Sequence, residues 1–170
     1  HMVGKDILRF HAIYWPAFLM ACNIPLPKRI FAHGWWTNEG EKISKSLGNI
    51  IDPIALINEF GVDYVRYFLM KEIPFGNDGN YARTNFIARI NAELANNIGN
   101  LIQRVFSFIY KNCNEQIPQP GNLEAADNEL LHKAYNAIEE MRIYIDSQAL
   151  HSALEVVVNL ATTANIYIDH

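Results

Sequence analysis

The decapeptide GEKISKSLGN, residues 40–49, contains two lysines and two serines within five residues and has a glycine near each end. Mobile ammonium groups, hydroxyl donors and flexible glycines suit a loop that closes over a phosphate chain. Such a loop would neutralise charge on a leaving group during phosphoryl or nucleotidyl transfer. The segment does not match the GxxxxGK[ST] pattern. A solvated turn with two surface lysines is therefore the alternative interpretation.

The residues before this loop combine helical and extended patterns. Aromatic and aliphatic side chains recur at helical spacing from Ile7 to Ala21, which predicts a buried helix that Pro16 kinks or restarts. Residues 29–33 and 41–43 are predicted to be extended, with a turn between them. The first 50 residues are therefore predicted to be of mixed α/β structure.

Helical patterns dominate after the loop. Asp52-Pro53 is typical of a helix start and Gly61 of a helix end, and a second short helix is expected to follow from Asp63. Residues 51–80 are therefore predicted to form a helical connecting segment. The boundary after it is predicted in the glycine-rich stretch 76–80.

The strongest helical pattern runs from Thr84 to Lys111, where apolar residues step by three and four along one face for about seven turns. A turn at 118–122 separates it from two further amphipathic helices, predicted over 127–145 and 147–168. Residues 81–170 are accordingly predicted to be an all-α bundle. The fold class is thus α/β followed by all-α.

The composition excludes several classes of protein. Half of the 170 residues are apolar and only 19% are charged, which argues against disorder. The formal net charge is −4 without a basic block, so any nucleic-acid contact must depend on a few specific groups. Cys22 and Cys113 lack zinc-site spacing and predict neither a metal site nor a disulfide, which indicates a reducing compartment.

No membrane segment is predicted, because the longest apolar run, residues 12–22, is about half the roughly 20 residues that a span requires. We expect no signal peptide either. We therefore expect a cytoplasmic protein without a membrane partner.

Three segments resemble a known family. KISKS followed by LGN resembles the KMSKS signature of class I aminoacyl-tRNA synthetases, with Ile43 in place of the usual methionine. The segments GKDILRFHAIYWP at 4–16 and AHGWW at 32–36, with the asparagine-rich helix, resemble the bacterial methionyl-tRNA synthetases of that class. The resemblance extends from Val3 to His170.

This resemblance implies a division of the chain into three parts. Residues 1–50 would be the C-terminal part of a Rossmann-type catalytic domain that carries the lysine loop. Residues 51–80 would connect it and contact the tRNA stem. Residues 81–170 would be most of an α-helical anticodon-binding bundle, truncated at its C-terminus.

The implied activity is the ATP-dependent, Mg²⁺-assisted ligation of methionine to tRNA(Met). A methionine carboxylate would attack the α-phosphate of ATP, giving methionyl-adenylate and pyrophosphate, and the methionyl group would then pass to the tRNA. Lys45 would bind ATP and neutralise pyrophosphate in the transition state. Lys42 and Ser44 would shape and close the loop. No metal site is expected in this chain.

The resemblance also implies where ATP binds. Gly4 and Asp6 would lie at the ribose, where glycine permits a close backbone approach and a carboxylate accepts hydrogen bonds. His33, Gly34 and Trp36 would lie beside adenine, Trp36 mainly through its backbone. Asp6 could equally cap a helix, and an aromatic pair such as residues 35–36 ordinarily packs in a core.

Ile7, His11 and Trp15 follow each other at intervals of four residues and so share one helix face. Ordinary core packing would explain this spacing. The resemblance implies instead that they line the methionine side-chain pocket, where aromatic edges would hold the thioether.

Asn97, Asn100 and Arg104 lie opposite the apolar stripe of the long helix. Asparagine and arginine can recognise unpaired bases, although a solvated helix face is the ordinary interpretation. The resemblance supports an anticodon-binding role for Asn100 and Arg104 and gives no such support to Asn97.

We also expect the chain to be a fragment. The family's HIGH-type motif would precede Val3, and an aromatic residue that contacts the anticodon would follow His170. The chain alone should then be catalytically inactive, and an exposed sheet edge and apolar face should promote self-association. The alternatives are another class I synthetase, or a non-catalytic helical module for RNA or protein interaction in which the lysine loop is incidental.

Overall fold

A computed structural model describes residues 1–169. The chain divides into two compact units, one of residues 1–83 and one that starts at Thr84. The elements of the first unit are β1 (Met2–Gly4), a 3₁₀ helix (Lys5–Ile7), a π-helical turn (Phe10–Tyr14), α1 (Trp15–Ala21), β2 (Phe31–His33), β3 (Trp36–Asn38), β4 (Glu41–Lys42), α2 (Pro53–Phe60), α3 (Val62–Lys71) and β5 (Gly79–Tyr81). No helix in residues 1–169 combines the length and hydrophobicity that a membrane span requires.

Two small sheets organise the first unit. β1 and β2 pair in parallel, with Gly4 opposite His33. In the second sheet β3 lies between β4, which is antiparallel to it, and β5, which is parallel to it. Within the predicted extended segments 29–33 and 41–43, residues 31–33 and 41–42 form strands. The glycine-rich stretch 76–80 continues into β5, and the two units divide after Arg83.

Phe68 of α3 is the centre of the first unit's core. It is 1% exposed, and its ring lies 6.1 Å from that of Trp36 and 6.0 Å from that of Tyr81, measured between centroids. Gly79 makes this packing possible, because a Cβ there would lie 2.4 Å from Ile73 Cδ1 and 3.2 Å from the Trp36 ring. The core thus holds α3 against the second sheet.

The predicted start and end of α2 are confirmed. The Asp52 carboxylate accepts a hydrogen bond from the Ile54 N–H at 2.9 Å, and Pro53 is the first helical residue. Gly61 ends the helix with a φ of +92°, a conformation that glycine adopts without a steric penalty.

The segment from Ile7 to Ala21 is helical as predicted, and Pro16 lies in the first turn of α1. The prediction that it is buried is wrong. Phe18 is 69% exposed and Ile13 is 59% exposed. The reason is that the rest of residues 1–169 leaves this apolar face uncovered.

The second unit is helical throughout its regular structure. Its elements are α4 (Arg83–Arg89), a π-helical segment (Ile90–Gly99), α5 (Asn100–Asn112), α6 (Ala125–Asp146) and α7 (Leu150–Tyr167). The first three follow one another without a break, which confirms the long helix, although its π-helical middle was not predicted. Small side chains allow α6 and α7 to approach closely, and Ala137, Ala153 and Ala161 are buried there.

Candidate functional site

The lysine loop, residues 42–49, begins at the last residue of β4 and is mostly exposed. Lys42 is the last residue of β4, and Lys45 lies in the turn beyond it. Neither ammonium group forms an ion pair within residues 1–169. The Ser44 and Ser46 hydroxyl oxygens are 2.7 Å apart, so one donates a hydrogen bond to the other. The three predicted catalytic residues, Lys42, Ser44 and Lys45, therefore share one loop whose positive charge faces solvent.

The two predicted ATP-binding segments lie side by side. Because β1 and β2 are parallel, Gly4 and His33 are paired across the sheet at its carboxyl edge. A Cβ on Gly4 would lie 2.4 Å from Asp6 Oδ1 and 3.6 Å from His33 Cε1. The absence of a side chain at Gly4 thus leaves room for the Asp6 carboxylate. This edge is where parallel α/β folds bind ligands.

Gly34 directly follows β2, and Trp36 is the first residue of β3 in the second sheet. A Cβ on Gly34 would lie 2.1 Å from the Asn77 carbonyl oxygen, so only glycine fits beside that backbone. The Trp36 side chain packs against Phe68 in the core. The adenine contact predicted for Trp36, mainly through its backbone, stays a prediction.

A cluster of Lys5, Trp35 and Asp78 was missed by the sequence analysis. Lys5 Nζ lies 2.5 and 2.6 Å from the two Asp78 carboxylate oxygens and 4.3 Å from the centroid of the Trp35 ring. The Trp35 backbone N–H donates to Asp78 Oδ1 at 2.8 Å. These hydrogen bonds, first that of Lys5 and then that of Trp35, lower the pKa of the Asp78 carboxyl group below its ordinary value.

The cluster and the lysine loop border one cavity. Its volume is about 360 Å³, and its walls are mostly apolar. The lining residues are Trp35, Trp36, Thr37, Lys42, Ile43 and Asp78. The first unit thus places a lysine of the loop and a carboxylate anchor around a concave surface next to the predicted adenine segment.

The predicted methionine-pocket residues form a partly exposed row. His11 Nδ1 lies 3.0 Å from the Ile7 carbonyl oxygen, and the His11 and Trp15 rings meet edge to face with centroids 6.1 Å apart. The predicted shared face is therefore present for His11 and Trp15. Ile7 is 40% exposed at the start of the row.

In the second unit, Asn97 and Arg104 contact α7. Asn97 Nδ2 donates to the Val158 carbonyl oxygen at 3.1 Å and to Thr162 Oγ1 at 2.9 Å. Arg104 forms an ion pair with Asp169. Asn97 is therefore tied to the neighbouring helix, whereas the Arg104 pair lies at the surface, where the Arg104 side chain is 34% exposed. Asn165 also joins the network, because its Nδ2 donates to Asn97 Oδ1 at 3.0 Å.

Asn100 differs from Asn97 and Arg104. It is the first residue of α5, lies one helical turn before Arg104 and is half-buried. Its side chain makes no hydrogen bond with another residue of the described chain. Asp169 and Asn165 gave no signal in the sequence analysis, because their partners are more than 60 residues away.

Comparison with known proteins fixes the family. A family model described as tRNA synthetases class I (M) matches residues 1–106. The chain belongs to this class I synthetase family. The resemblance inferred from KISKS and its flanking segments is thereby confirmed.

Individual relatives of the chain are named methionine–tRNA ligase. It is 59% identical to the methionine–tRNA ligase of Rickettsia conorii over 99% of the chain and 34% of that relative. It is 53% identical to the methionine–tRNA ligase of Brucella suis over 98% of the chain and 32% of that relative. The chain thus spans about a third of the length of the curated relatives it matches.

Solved class I synthetase structures match the same region. The Mycobacterium tuberculosis methionyl-tRNA synthetase bound by methionyl-adenylate has a TM-score of 0.94 and 51% identity, over 99% of this chain and 33% of that one. The apo form of the same enzyme has a TM-score of 0.90 and 48% identity, over 99% of this chain and 32% of that one. The class I synthetase fold of mixed helices and small sheets is therefore shown for this chain.

Proposed function

We propose that the protein to which this chain belongs is a methionine–tRNA ligase. One observation carries the proposal: the parallel pairing of β1 with β2 sets Gly4 against His33, so that the two segments predicted to bind ATP form one sheet edge. The name shared by relatives 53–59% identical to almost the whole chain supports it. We further propose that the first unit contains the C-terminal part of a Rossmann-type catalytic domain, with residues 51–80 as a connector.

The proposed first step is methionine activation. A carboxylate oxygen of methionine bonds to the α-phosphorus of ATP, and the bond from that phosphorus to the pyrophosphate oxygen breaks. Asp6 accepts hydrogen bonds from the ribose hydroxyls, while Gly34 and the Trp36 backbone bound the adenine. Lys45 neutralises the departing pyrophosphate, and Lys42 and Ser44 hold the loop closed.

Two further groups of residues complete the proposal. The row of Ile7, His11 and Trp15 holds the methionine thioether, since aromatic edges attract polarizable sulfur. Asn100 and Arg104 bind the anticodon of tRNA(Met), and the second unit is the greater part of an anticodon-binding bundle. The proposed location is the cytoplasm, where tRNA is charged.

Mg²⁺ has no evident ligands in this part of the chain. Among residues 1–169, no group of three or more His, Cys, Asp or Glu side chains is arranged to hold a metal ion. The Mg²⁺ ion in this proposal would accompany ATP.

The test is amino-acid-dependent exchange of pyrophosphate into ATP, with all twenty amino acids, on the chain completed to the length of its relatives. We expect exchange with methionine alone, and none from the 170-residue chain by itself. Exchange with a different amino acid would indicate another class I synthetase. No exchange at all from the completed protein would favour the helical interaction module.

Substitution of Lys45 tests the role of the loop. We expect Lys45→Ala in the completed enzyme to lower the exchange rate by about 10²- to 10³-fold, because a preorganised charge on the leaving group is lost. Lys28→Ala is the matched control, since Lys28 is also an exposed lysine of the first unit. Equal rates for the two variants would show that the lysine loop is incidental.

A further inference from the structure

We infer that Asn49 is a positioning residue that holds the lysine loop, residues 42–49, in the shape in which Lys45 meets pyrophosphate. This inference rests on the proposed function. It assigns a role to a side chain that carries no charge and takes no part in the chemistry itself.

The Asn49 side chain joins the two ends of the loop. Its Oδ1 accepts a hydrogen bond from the Ser44 N–H at 2.8 Å, and its Nδ2 donates to the Lys42 carbonyl oxygen at 3.1 Å. A carboxamide is the side chain that offers a donor and an acceptor side by side. Lys45 therefore lies in a stretch of backbone that is closed by two hydrogen bonds from one residue.

A second asparagine fixes this closure to the sheet. Asn38 Nδ2 donates to the Asn49 carbonyl oxygen at 2.9 Å. Asn38 is the last residue of β3, and Lys42 is paired with Thr37 of the same strand. Both ends of the loop are thus attached to β3, one by strand pairing and the other by the Asn38 side chain.

The rest of the loop depends on this attachment. Residues 45–48 are exposed, and Gly48 has a φ of +66°. The Gly48 N–H donates to the Lys45 carbonyl oxygen at 3.3 Å, which is a weak hydrogen bond. The turn's other hydrogen bonds, between Ser44 and Ser46, also lie within the loop, so the turn that carries Lys45 owes its position on the sheet to the Asn49 carboxamide. A misplacement of about 1 Å can cost a reaction about 10²-fold.

The experiment measures methionine-dependent pyrophosphate exchange in the completed enzyme. We expect Asn49→Ala to lower kcat by about 10- to 100-fold, with the KM for methionine unchanged. Leu47→Ala is the matched control, because Leu47 is 65% exposed in the same loop and its side chain forms no hydrogen bond. It should stay within about twofold of the unmodified enzyme.

A double variant separates positioning from general loss of structure. If Asn49 acts through Lys45, then Asn49→Ala should add almost nothing to the defect of Lys45→Ala, because coupled residues are not additive. Fully additive losses, or an Asn49→Ala enzyme as fast as the unmodified one, would overturn the inference.

Amide hydrogen exchange provides a readout that needs no activity. In the completed protein, the Ser44 N–H should exchange at least about tenfold faster in Asn49→Ala, because it loses its acceptor. Unchanged exchange would overturn the inference even if the enzyme activates methionine. Faster exchange in a protein that activates no amino acid would instead contradict the proposed function, and with it the role of Asn49 in positioning Lys45.

Discussion

The carboxyl group of Asp78 joins three segments of the first unit. It accepts hydrogen bonds from the Lys5 ammonium group, just after β1, and from the Trp35 N–H, just before β3. These segments flank Gly4 and Gly34, which are predicted to bind ATP. One exposed side chain therefore links the two predicted nucleotide-binding segments.

Asp78 should make stability depend on pH. Its pKa is lower in the folded protein than in the unfolded chain, because Lys5 and Trp35 favour the carboxylate. Its stabilising effect is thus present above the ordinary carboxyl pKa, about 3.9, and is lost as the pH falls through the lowered value. Thermal unfolding should therefore show Asp78→Asn less stable than the unmodified chain at pH 7, with the difference vanishing in strong acid.

Glu41→Gln is the control for this measurement, since the exposed Glu41 carboxylate forms no ion pair within the described chain. The thermal unfolding midpoint of Glu41→Gln should match that of the unmodified chain at every pH. An Asp78→Asn protein whose midpoint differs from that of the unmodified chain by the same amount from neutral pH to strong acid would contradict the expectation.

Gly34 is expected to tolerate no side chain. A Cβ would meet the Asn77 carbonyl oxygen at 2.1 Å, so the backbone of one segment must move in Gly34→Ala. Overpacking of this kind costs about 1–3 kcal/mol in the free energy of unfolding. Gly121→Ala should be nearly neutral in the same denaturant titration, because nothing lies within 4 Å of the added methyl group. Equal stability of the two variants would contradict this expectation.

Among the elements, the long helix of the second unit combines two kinds of helical geometry. Its middle, Ile90–Gly99, is π-helical and lies between the α-helical segments α4 and α5. The turns of a π-helix are wider than those of an α-helix. Side chains three or four residues apart therefore no longer share one face across this segment. In the structure, Asn97 of this segment faces α7 and hydrogen-bonds to it.

Asn97 is therefore expected to stabilise the second unit. Asn97→Ala removes the donor to Val158 and Thr162 and leaves the amide of Asn165 without one acceptor. We expect a loss of about 1–3 kcal/mol, measured by denaturant unfolding. Asn96→Ala is the matched control on the same helix, because Asn96 is exposed and its side chain makes no hydrogen bond with described residues. A loss that is equal in both variants would contradict this role.

For the molecule as a whole, exposed apolar surface is the prominent feature. Phe10, Ile13, Phe18 and Met20 are each at least 58% exposed along one helical segment. Large apolar side chains exposed in one segment promote association. We expect the 170-residue chain to form dimers or larger assemblies by sedimentation.

A charge placed within this surface should weaken association. Phe18→Lys should shift the chain towards the monomer, whereas Ile117→Lys should not, because Ile117 is 78% exposed in a loop outside this segment. Sedimentation of the unmodified chain as a monomer at high concentration would contradict the expectation.

The sequence determined the local elements and the family. The cap at Asp52, the stop at Gly61 and the long helix from Thr84 follow from interactions among neighbouring residues, and each is present. The family could be predicted from KISKS and its flanking segments, because such motifs are contiguous in the chain. The roles of the predicted site residues stay predictions.

Only the tertiary structure decided which distant groups meet. The Lys5–Asp78 pair spans 73 residues and the Asn97–Asn165 contact spans 68. Strand β5 exists because β3 supplies its backbone partners, and the Ile7–Ala21 helix is exposed because nothing among the described residues covers it. Local patterns cannot specify such contacts, since their free energy arises only when separated segments pack together.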